Sequence, residues 1–339
     1  MFPEHEWTNL SLPGRYFNWR IRGNALTWGL GERKVLEQHY DMVVATSMVD
    51  CATLRGLVSN LAVIPWIVYF HENQFAYPVD KENDHTEPKM VTLYNALCAE
   101  KIIFNTKYNL DSFIDGLSNF LKKMPDGVPD NVIDLIAKKS HVLAVPVESN
   151  MITKDELRQK HAIPVLLWNH RWEYDKGPER LYNLLVELRR RNFSFKLNLI
   201  GQRFRLIPEA IKKIKDEFSD IILNFGFIEE KEIYKRTLND SDFVLSTSLH
   251  DFQGVSVLEG VVAGCIPVVP QRLAYPEIFP DRFCYRSELL QENIEATSMA
   301  DKIVELNQLN KKQLLKEIEI SIFSKDNLRP SYLEILFSH

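Results

Sequence analysis

Short apolar runs rich in β-branched residues alternate with longer segments of helical periodicity along almost the whole chain. Strand-length runs separated by amphipathic helices are the pattern of βαβ units around parallel sheets, so the predicted fold class is α/β. In the first half the pattern predicts strands over Trp7–Leu12, Met42–Thr46, Trp66–Phe70, Lys101–Asn105 and His141–Val145, with helices such as Thr53–Leu61 and Lys89–Ala99 between them. In the second half strands recur at Val165–Trp168, Phe195–Ile200, Ile222–Phe225, Phe243–Ser246 and Ile266–Val269, joined by helices such as Pro178–Arg190 and Pro208–Phe218. Between the two series lies Pro146-Val147-Glu148-Ser149-Asn150, a breaker-rich stretch that closes one alternation just before the next begins. This predicts a doubly wound N-terminal domain over 1–147 and a second over 148–310. A helical tail over 311–339 is expected to break near Asp326-Asn327 and to pack back toward the first domain through Tyr332, Leu333, Leu336 and Phe337.

A chain of 339 residues, 45% of them hydrophobic, is long enough for two cores. The net charge of -5 removes the global basic excess of a general nucleic-acid binder, so any RNA contact has to come from a local patch. The four cysteines, Cys51, Cys98, Cys265 and Cys284, stand far apart with no zinc-ligand spacing and read as reduced thiols. Glu4, His5 and Glu6 occupy the place of a signal peptide's apolar run, and the most apolar stretch, Leu61–Phe70, is about half of a membrane span and contains Pro65. A cytoplasmic protein with no membrane contact is expected.

Four segments carry candidate chemistry. Ser246 to Gly264 follows a strand and enters a helix at Gly254, where the N–H groups of Val255 and Ser256 and the helix dipole suit a phosphate. Asp251 and Glu259 frame this turn, roughly 12 Å apart if the rise is helical, a span that suits the two ends of a nucleotide sugar. Asp251 is then expected at sugar hydroxyls and Glu259 at the ribose. In the second segment, Trp168 to Glu179, Arg171 and Lys176 stand at the carboxyl end of a strand, where ligands of open α/β sheets bind and cations stabilise a departing diphosphate. In the third, Tyr69 to Pro78, His71 follows a strand and is either a sugar or acid–base contact or a loop histidine with one local hydrogen bond. The fourth, Leu12 to Gly23, interleaves Arg15, Arg20 and Arg22 with Tyr16, Phe17 and Trp19, which serves either single-stranded RNA or an ordinary core with solvated arginines. Gly254-Val-Ser256-Val lacks the spacing of a serine-hydrolase elbow.

Together and in this order, these segments resemble the retaining glycosyltransferases of family 4, which have the GT-B fold of two Rossmann-like domains facing across a cleft. The phrases HENQFAYP, WNHRWEYDK, LPGRYFNWRIRG and RLAYPEIFP are closely similar to the tRNA-queuosine mannosyltransferase branch. Asp251 and Glu259 match the superfamily's E-x7-E pair with the first Glu replaced by the shorter Asp, and Arg171 and Lys176 match the pair that grips the donor diphosphate. The resemblance implies a GDP-mannose donor, a queuosine-containing tRNA acceptor contacted through Arg15, Arg20 and Arg22, retained configuration, and neither a cofactor nor a metal. It further implies a nucleobase pocket at Gly201, Gln202, Gly226 and Phe227, and a role for His71 in orienting the sugar. Relatives begin with an additional strand and a Gly-Ser-His turn, so the resemblance also implies a first domain with its central strand missing and a sheet edge left open. Other acceptors of family 4, a lipid or a sugar, or a non-catalytic binding role, remain open on the residues alone. The tRNA species and the oligomeric state are not written in these motifs.

Overall fold

The structure, a computed structural model, describes residues 1–14, 16–77, 86–148, 162–202 and 206–337. The chain divides into two compact units, Met1–Ala144 with Arg329–His339, and Val145–Leu328.

In the first unit, β1 (Val43–Thr46), β2 (Trp66–Phe70), β3 (Lys101–Phe104) and β4 (Ser140–Val142) form an all-parallel sheet in the order β1-β2-β3-β4. β2 is buried throughout, as parallel strands covered on both faces are. β1 is an edge strand with Val44 and Thr46 exposed. The core centres on Phe70, Phe104 and Phe113, all fully buried, with ring centroids 4.8 to 5.3 Å apart. The chain end adds to this unit. Tyr332 donates to the Ala144 carbonyl at 3.0 Å, and Phe337 packs against Phe2 and His5.

Three expectations are corrected here. Trp7–Leu12 is not a strand, because alternation alone does not make one without a hydrogen-bonding neighbour, and none of β1–β4 pairs with it. Thr53–Leu61 is two helices, Cys51–Leu57 capped by the Asp50 carboxylate on the Thr53 N–H, and Ser59–Ala62, separated by extended Val58. The break in the tail falls before Asp326-Asn327. Ser324 accepts from the Asn327 N–H and caps the helix Lys325–Phe337, so Asp326 is a first-turn acid, where the helix dipole favours it. Residues 17 to 31 form a helix, Phe17–Gly31, that the strand-centred pattern does not predict.

In the second unit, β5 (Val165–Asn169), β6 (Lys196–Ile200), β7 (Ile222–Gly226), β8 (Phe243–Leu245), β9 (Ile266–Pro270) and β10 (Cys284–Tyr285) form a parallel sheet in the order β10-β9-β8-β5-β6-β7. Pro178 opens the helix Pro178–Arg190, whose Leu181, Leu184, Leu185 and Leu188 recur at i, i+3, i+4 and i+7 and are all fully buried. The chain runs outward from β5 through β6 to β7, then returns to β8 and runs the other way. The order therefore reverses between β5 and β8, and a crevice at the carboxyl ends of those two strands is where such sheets bind ligands.

Replacing Phe113 by Ala removes the ring shared by Phe70 and Phe104 and is expected to cost about 3–5 kcal/mol. Urea unfolding of the variant should show a lowered midpoint for the first unit, and an unchanged midpoint would show that this aromatic cluster is not the core.

Candidate active site

The carboxyl ends of β5 and β8 bring together two loops from the second unit. After β5 the chain passes through His170 and Arg171 to a short turn at Tyr174–Lys176, and after β8 through Ser246 to Asp251 before the helix Val255–Val262 begins. The loops are fastened to each other. Thr247 Oγ1 donates to the Lys176 carbonyl at 2.7 Å and accepts from the Trp168 indole at 2.9 Å, while the Leu249 N–H donates to the Asp175 carbonyl at 2.7 Å.

Lys176 points its ammonium into this seam and is buried. Its Nζ donates to the His250 carbonyl at 2.8 Å and lies 3.3 Å from the Asp175 carboxylate and 3.5 Å from that of Asp251. Burial alone would lower the lysine's pKa. The two carboxylates, Asp251 first, outweigh it, and the pKa is raised. Burial likewise pushes Asp251 up, but Lys176, the Gly254 N–H and the Tyr275 hydroxyl bring it below the usual carboxylate value. Asp251 is thereby spoken for at both oxygens. Oδ1 accepts from the Gly254 N–H at 2.9 Å, and Oδ2 accepts from Tyr275 at 3.2 Å.

Gly254 is left-handed at φ 68°, and a Cβ there would stand 2.7 Å from the Tyr275 ring. The turn therefore needs glycine for conformation and for space. Val255 and Ser256 follow as the first helical residues, with N–H groups that the helix itself leaves without partners. Because the helix starts only at Val255, the interval from Asp251 to Glu259 is not one helix, and the helical rise applied to all eight steps is corrected. Glu259 accepts from the Tyr234 hydroxyl at 2.6 Å, and Asn169 Nδ2 donates to that hydroxyl and to the Ser256 carbonyl. Burial raises the Glu259 pKa, the opposite direction from Asp251.

The other expected residues are distributed as follows. Arg171 is exposed beside Lys176 and pairs with Glu173 at 3.2 Å. Gly201 follows β6, and its N–H donates to the Gly226 carbonyl at 3.1 Å. A Cβ on Gly201 would enter the His170 carbonyl, so the β5 and β6 ends approach as closely as backbone allows. Gln202 is exposed and accepts through its carbonyl from the Trp172 N–H, while Phe227 is an exposed side chain beyond β7. The second unit thus carries Arg171, Lys176, Gly201, Gln202, Gly226, Phe227, Asp251 and Gly254 on its loops and at its strand ends, and Val255, Ser256 and Glu259 on the helix Val255–Val262. His71 belongs to the first unit, directly after β2. Its ring tilts on Tyr69 at 4.5 Å, and though the residue presents surface to solvent, the protein around the ring lowers its pKa by burial.

Arg20 and Arg22 also lie in the first unit. Arg22 pairs with Asp50 at 2.7 Å and with Glu87 at 3.3 Å, and Arg20 donates to the Pro13 carbonyl. Arg15 lies outside the described residues.

Sequence reasoning missed several residues that build this site. His170 is buried, its Nε2–H donates to the Leu245 carbonyl at 3.1 Å, and its Nδ1 therefore accepts from Ser256 at 3.2 Å. Burial, with Lys176 adding to it, pushes His170 and His250 each down to about 4. Gln253 turns its amide to the backbone of Val145, donating to the carbonyl at 2.8 Å and accepting from the N–H at 2.9 Å. Tyr234 and Tyr275 sit on other helices, and nothing in their local spacing ties them to the two carboxylates. Among the described residues no group of three or more His, Cys, Asp or Glu side chains is arranged to hold a metal, and no helix is long and apolar enough to cross a membrane.

Residues 2–147 match the family model described as tRNA-queuosine alpha-mannosyltransferase N-terminal. Over 341 residues, 97% of this chain and 88% of the relative, the sequence is 33% identical to the tRNA-queuosine alpha-mannosyltransferase of Drosophila melanogaster. Among solved structures, an alpha,alpha-trehalose-phosphate synthase from Burkholderia xenovorans aligns over 95% of this chain and 79% of its own, with a TM-score of 0.68 and 12% identity. The sucrose-phosphate synthase of Thermosynechococcus elongatus aligns over 96% and 79%, with a TM-score of 0.68 and 11% identity. At such identities the likeness concerns the fold, which is α/β of the GT-B type.

The two buried histidines give the site a pH signature. The unfolded chain binds protons at each imidazole near pH 6.5, whereas the folded chain resists until about 4. Stability is therefore expected to fall as pH drops from 6.5 toward 4, by about 3 kcal/mol per imidazole at most. Below that window the contribution of the lowered Asp251 is lost as well. Denaturant titrations between pH 7 and 4.5 should show this decline and its reduction in His170→Gln, whereas a flat profile would contradict neutral buried imidazoles.

Proposed function

The chain belongs to the tRNA-queuosine alpha-mannosyltransferase family and is a glycosyltransferase, and from that premise we propose that it moves mannose from GDP-mannose to a cyclopentenediol hydroxyl of queuosine in a tRNA anticodon, with retained anomeric configuration. The observation that carries this reading is the buried Lys176 ammonium held between Asp175 and Asp251, beside a helix whose first amides, at Val255 and Ser256, are open to an anion. In this reading the diphosphate lies on those amides, Lys176 supplies fixed positive charge at the leaving group, and Arg171 exchanges Glu173 for a phosphate oxygen. Charge neutralisation is thus assigned to the chain's own cations rather than to a metal or another cofactor.

As the bond from the anomeric carbon to the phosphate oxygen breaks, negative charge grows on the phosphate and these groups stabilise it where water is scarce. The acceptor oxygen forms its bond to the anomeric carbon on the same face and passes its proton to the departing phosphate. No side chain serves as nucleophile. His71, held neutral at neutral pH by its lowered pKa, orients the sugar as a hydrogen-bonding partner. Glu259, steadied by Tyr234, takes the ribose hydroxyls, and Asp251 the sugar hydroxyls. Gly201, Gln202, Gly226 and Phe227 line the guanine, their support being the convergence of the β6 and β7 ends next to His170. The tRNA contact is assigned to Arg15, Arg20 and Arg22 with the exposed rings of Tyr16, Phe17 and Trp19, which offer stacking faces beside the cations. In this reading the acceptor is a cytoplasmic tRNA.

The test is transfer of labelled mannose from GDP-mannose to bulk tRNA with and without queuosine, in the presence of a chelator. Chelator-resistant transfer confined to queuosine-containing tRNA is the expected result. Labelling of a lipid or sugar acceptor instead would reassign the enzyme within family 4, and donor consumption without acceptor would point to epimerisation or hydrolysis. Lys176→Ala should lower kcat by two orders of magnitude or more, the scale of losing a preorganised charge at the leaving group. Trp19→Ala should raise the KM for tRNA about tenfold, the scale of one stacked base, and leave the KM for donor unchanged.

A further inference from the structure

The donor-side carboxylate Asp251 is short, and its placement comes from outside its own loop. Tyr275 is fully buried at the start of the short helix Tyr275–Ile278 after β9, and its hydroxyl stands 2.7 Å from Ser246 Oγ and 3.2 Å from Asp251 Oδ2. The same ring lies under Gly254, where an added Cβ would stand 2.7 Å from it. One side chain therefore touches the start of the loop, its carboxylate and its glycine.

The segment that carries Tyr275 is itself held. Leu273, two residues before it, is left-handed at φ 60°, a conformation unfavourable for a branched residue that persists only where its surroundings fix it. Arg272 supplies that fixing. Its Nε donates to the Ser248 carbonyl at 3.0 Å, and its Nη1 pairs with Glu295, a carboxylate with no exposed surface that also takes Arg180 at 2.7 Å. Arg272, Leu273 and Tyr275 therefore form a brace behind the loop from Ser246 to Gly254, anchored in the core by a buried acid.

We propose that Tyr275 is a positioning residue for donor binding, which acts through Asp251 by fixing the rotamer of its carboxylate between the phenol and the Gly254 amide. The inference rests on the reading of Asp251 as a donor contact. With the phenol in place, Oδ1 is held by the Gly254 N–H and Oδ2 by the phenol together with the more distant Lys176 ammonium, and the carboxylate is presented to the sugar without the search a free side chain would make. The hydroxyl is the active part of the arrangement, because the ring alone would support Gly254 equally well.

Tyr275→Phe in the full chain tests this, since it keeps the ring and deletes the hydroxyl, and Ser246 retains Ser248 Oγ at 3.1 Å as a partner. A crystal structure of the variant is expected to show the Asp251 carboxylate rotated away from its wild-type position with the loop backbone unchanged. Calorimetric titration with GDP-mannose is expected to show affinity weakened about tenfold, the scale of one hydrogen bond to a charged acceptor. The KM for tRNA should stay unchanged. In the Asp251→Asn background the same Tyr275→Phe change should have little further effect, because both substitutions disable one contact. An unmoved Asp251 in the variant structure, or equal losses from Tyr275→Phe with and without Asp251, would overturn the proposal. A wild-type chain that fails to bind GDP-mannose would instead overturn the donor reading, and the position of Asp251 in the variant structure would still decide the role of the phenol.

Discussion

A lysine ammonium removed from water has to be surrounded by acceptors and opposite charge, and around Lys176 this requirement organises the carboxyl end of the second unit's sheet. Asp175 is drawn in from the lysine's own turn, Asp251 from the loop after β8, and the His250 carbonyl from between them. Two loops that follow strands remote in sequence are thereby locked at one spacing, with Thr247 stitching their backbones. Burial, with this charge adding to it, keeps the neighbouring imidazoles of His170 and His250 neutral, which fixes the direction of the His170 hydrogen bonds and so the orientation of Ser256. A charge buried this way contributes little net stability. It contributes a fixed ion cluster at the carboxyl edge of the sheet, an ammonium held in place between two carboxylates.

Among the described residues, the alternation of apolar runs made nine of the ten strands legible, to within a residue or two in most cases, and most plainly where strands buried throughout, such as β2, β5 and β9, leave unbroken apolar stretches. β10, two residues long, leaves no such stretch. The misreadings share another cause. Trp7–Leu12 alternates but finds no partner, and the helix Phe17–Gly31 carries exposed Trp19, Leu26 and Leu30 that blur its apolar stripe. Pairing and packing decided these segments, and neither is a local property.

The candidate site's local geometry was legible where one segment contains its own chemistry. Gly254 at the mouth of a helix and Lys176 after a strand could be read because turn, helix start and charge lie within a dozen residues of each other. Asp251 was legible as a residue but not as an arrangement, since its bonds to Gly254 and Tyr275 depend on a turn that starts the helix late. Tyr234, Tyr275, His170 and Gln253 escaped because each contributes through a contact that crosses from one element to another.

Gln253 sits one residue before the left-handed glycine and grips the backbone of Val145, the first residue after the chain leaves the N-terminal unit. The grip uses only a carbonyl and an N–H, groups that every residue except proline presents. This contact therefore asks nothing of the side chain at position 145 beyond the exclusion of proline, while it depends on the amide of position 253. A chimaera that joins a different N-terminal half at this junction would inherit the fastening intact, because what Gln253 recognises is the path of the main chain rather than any side chain the donor of that half brings with it.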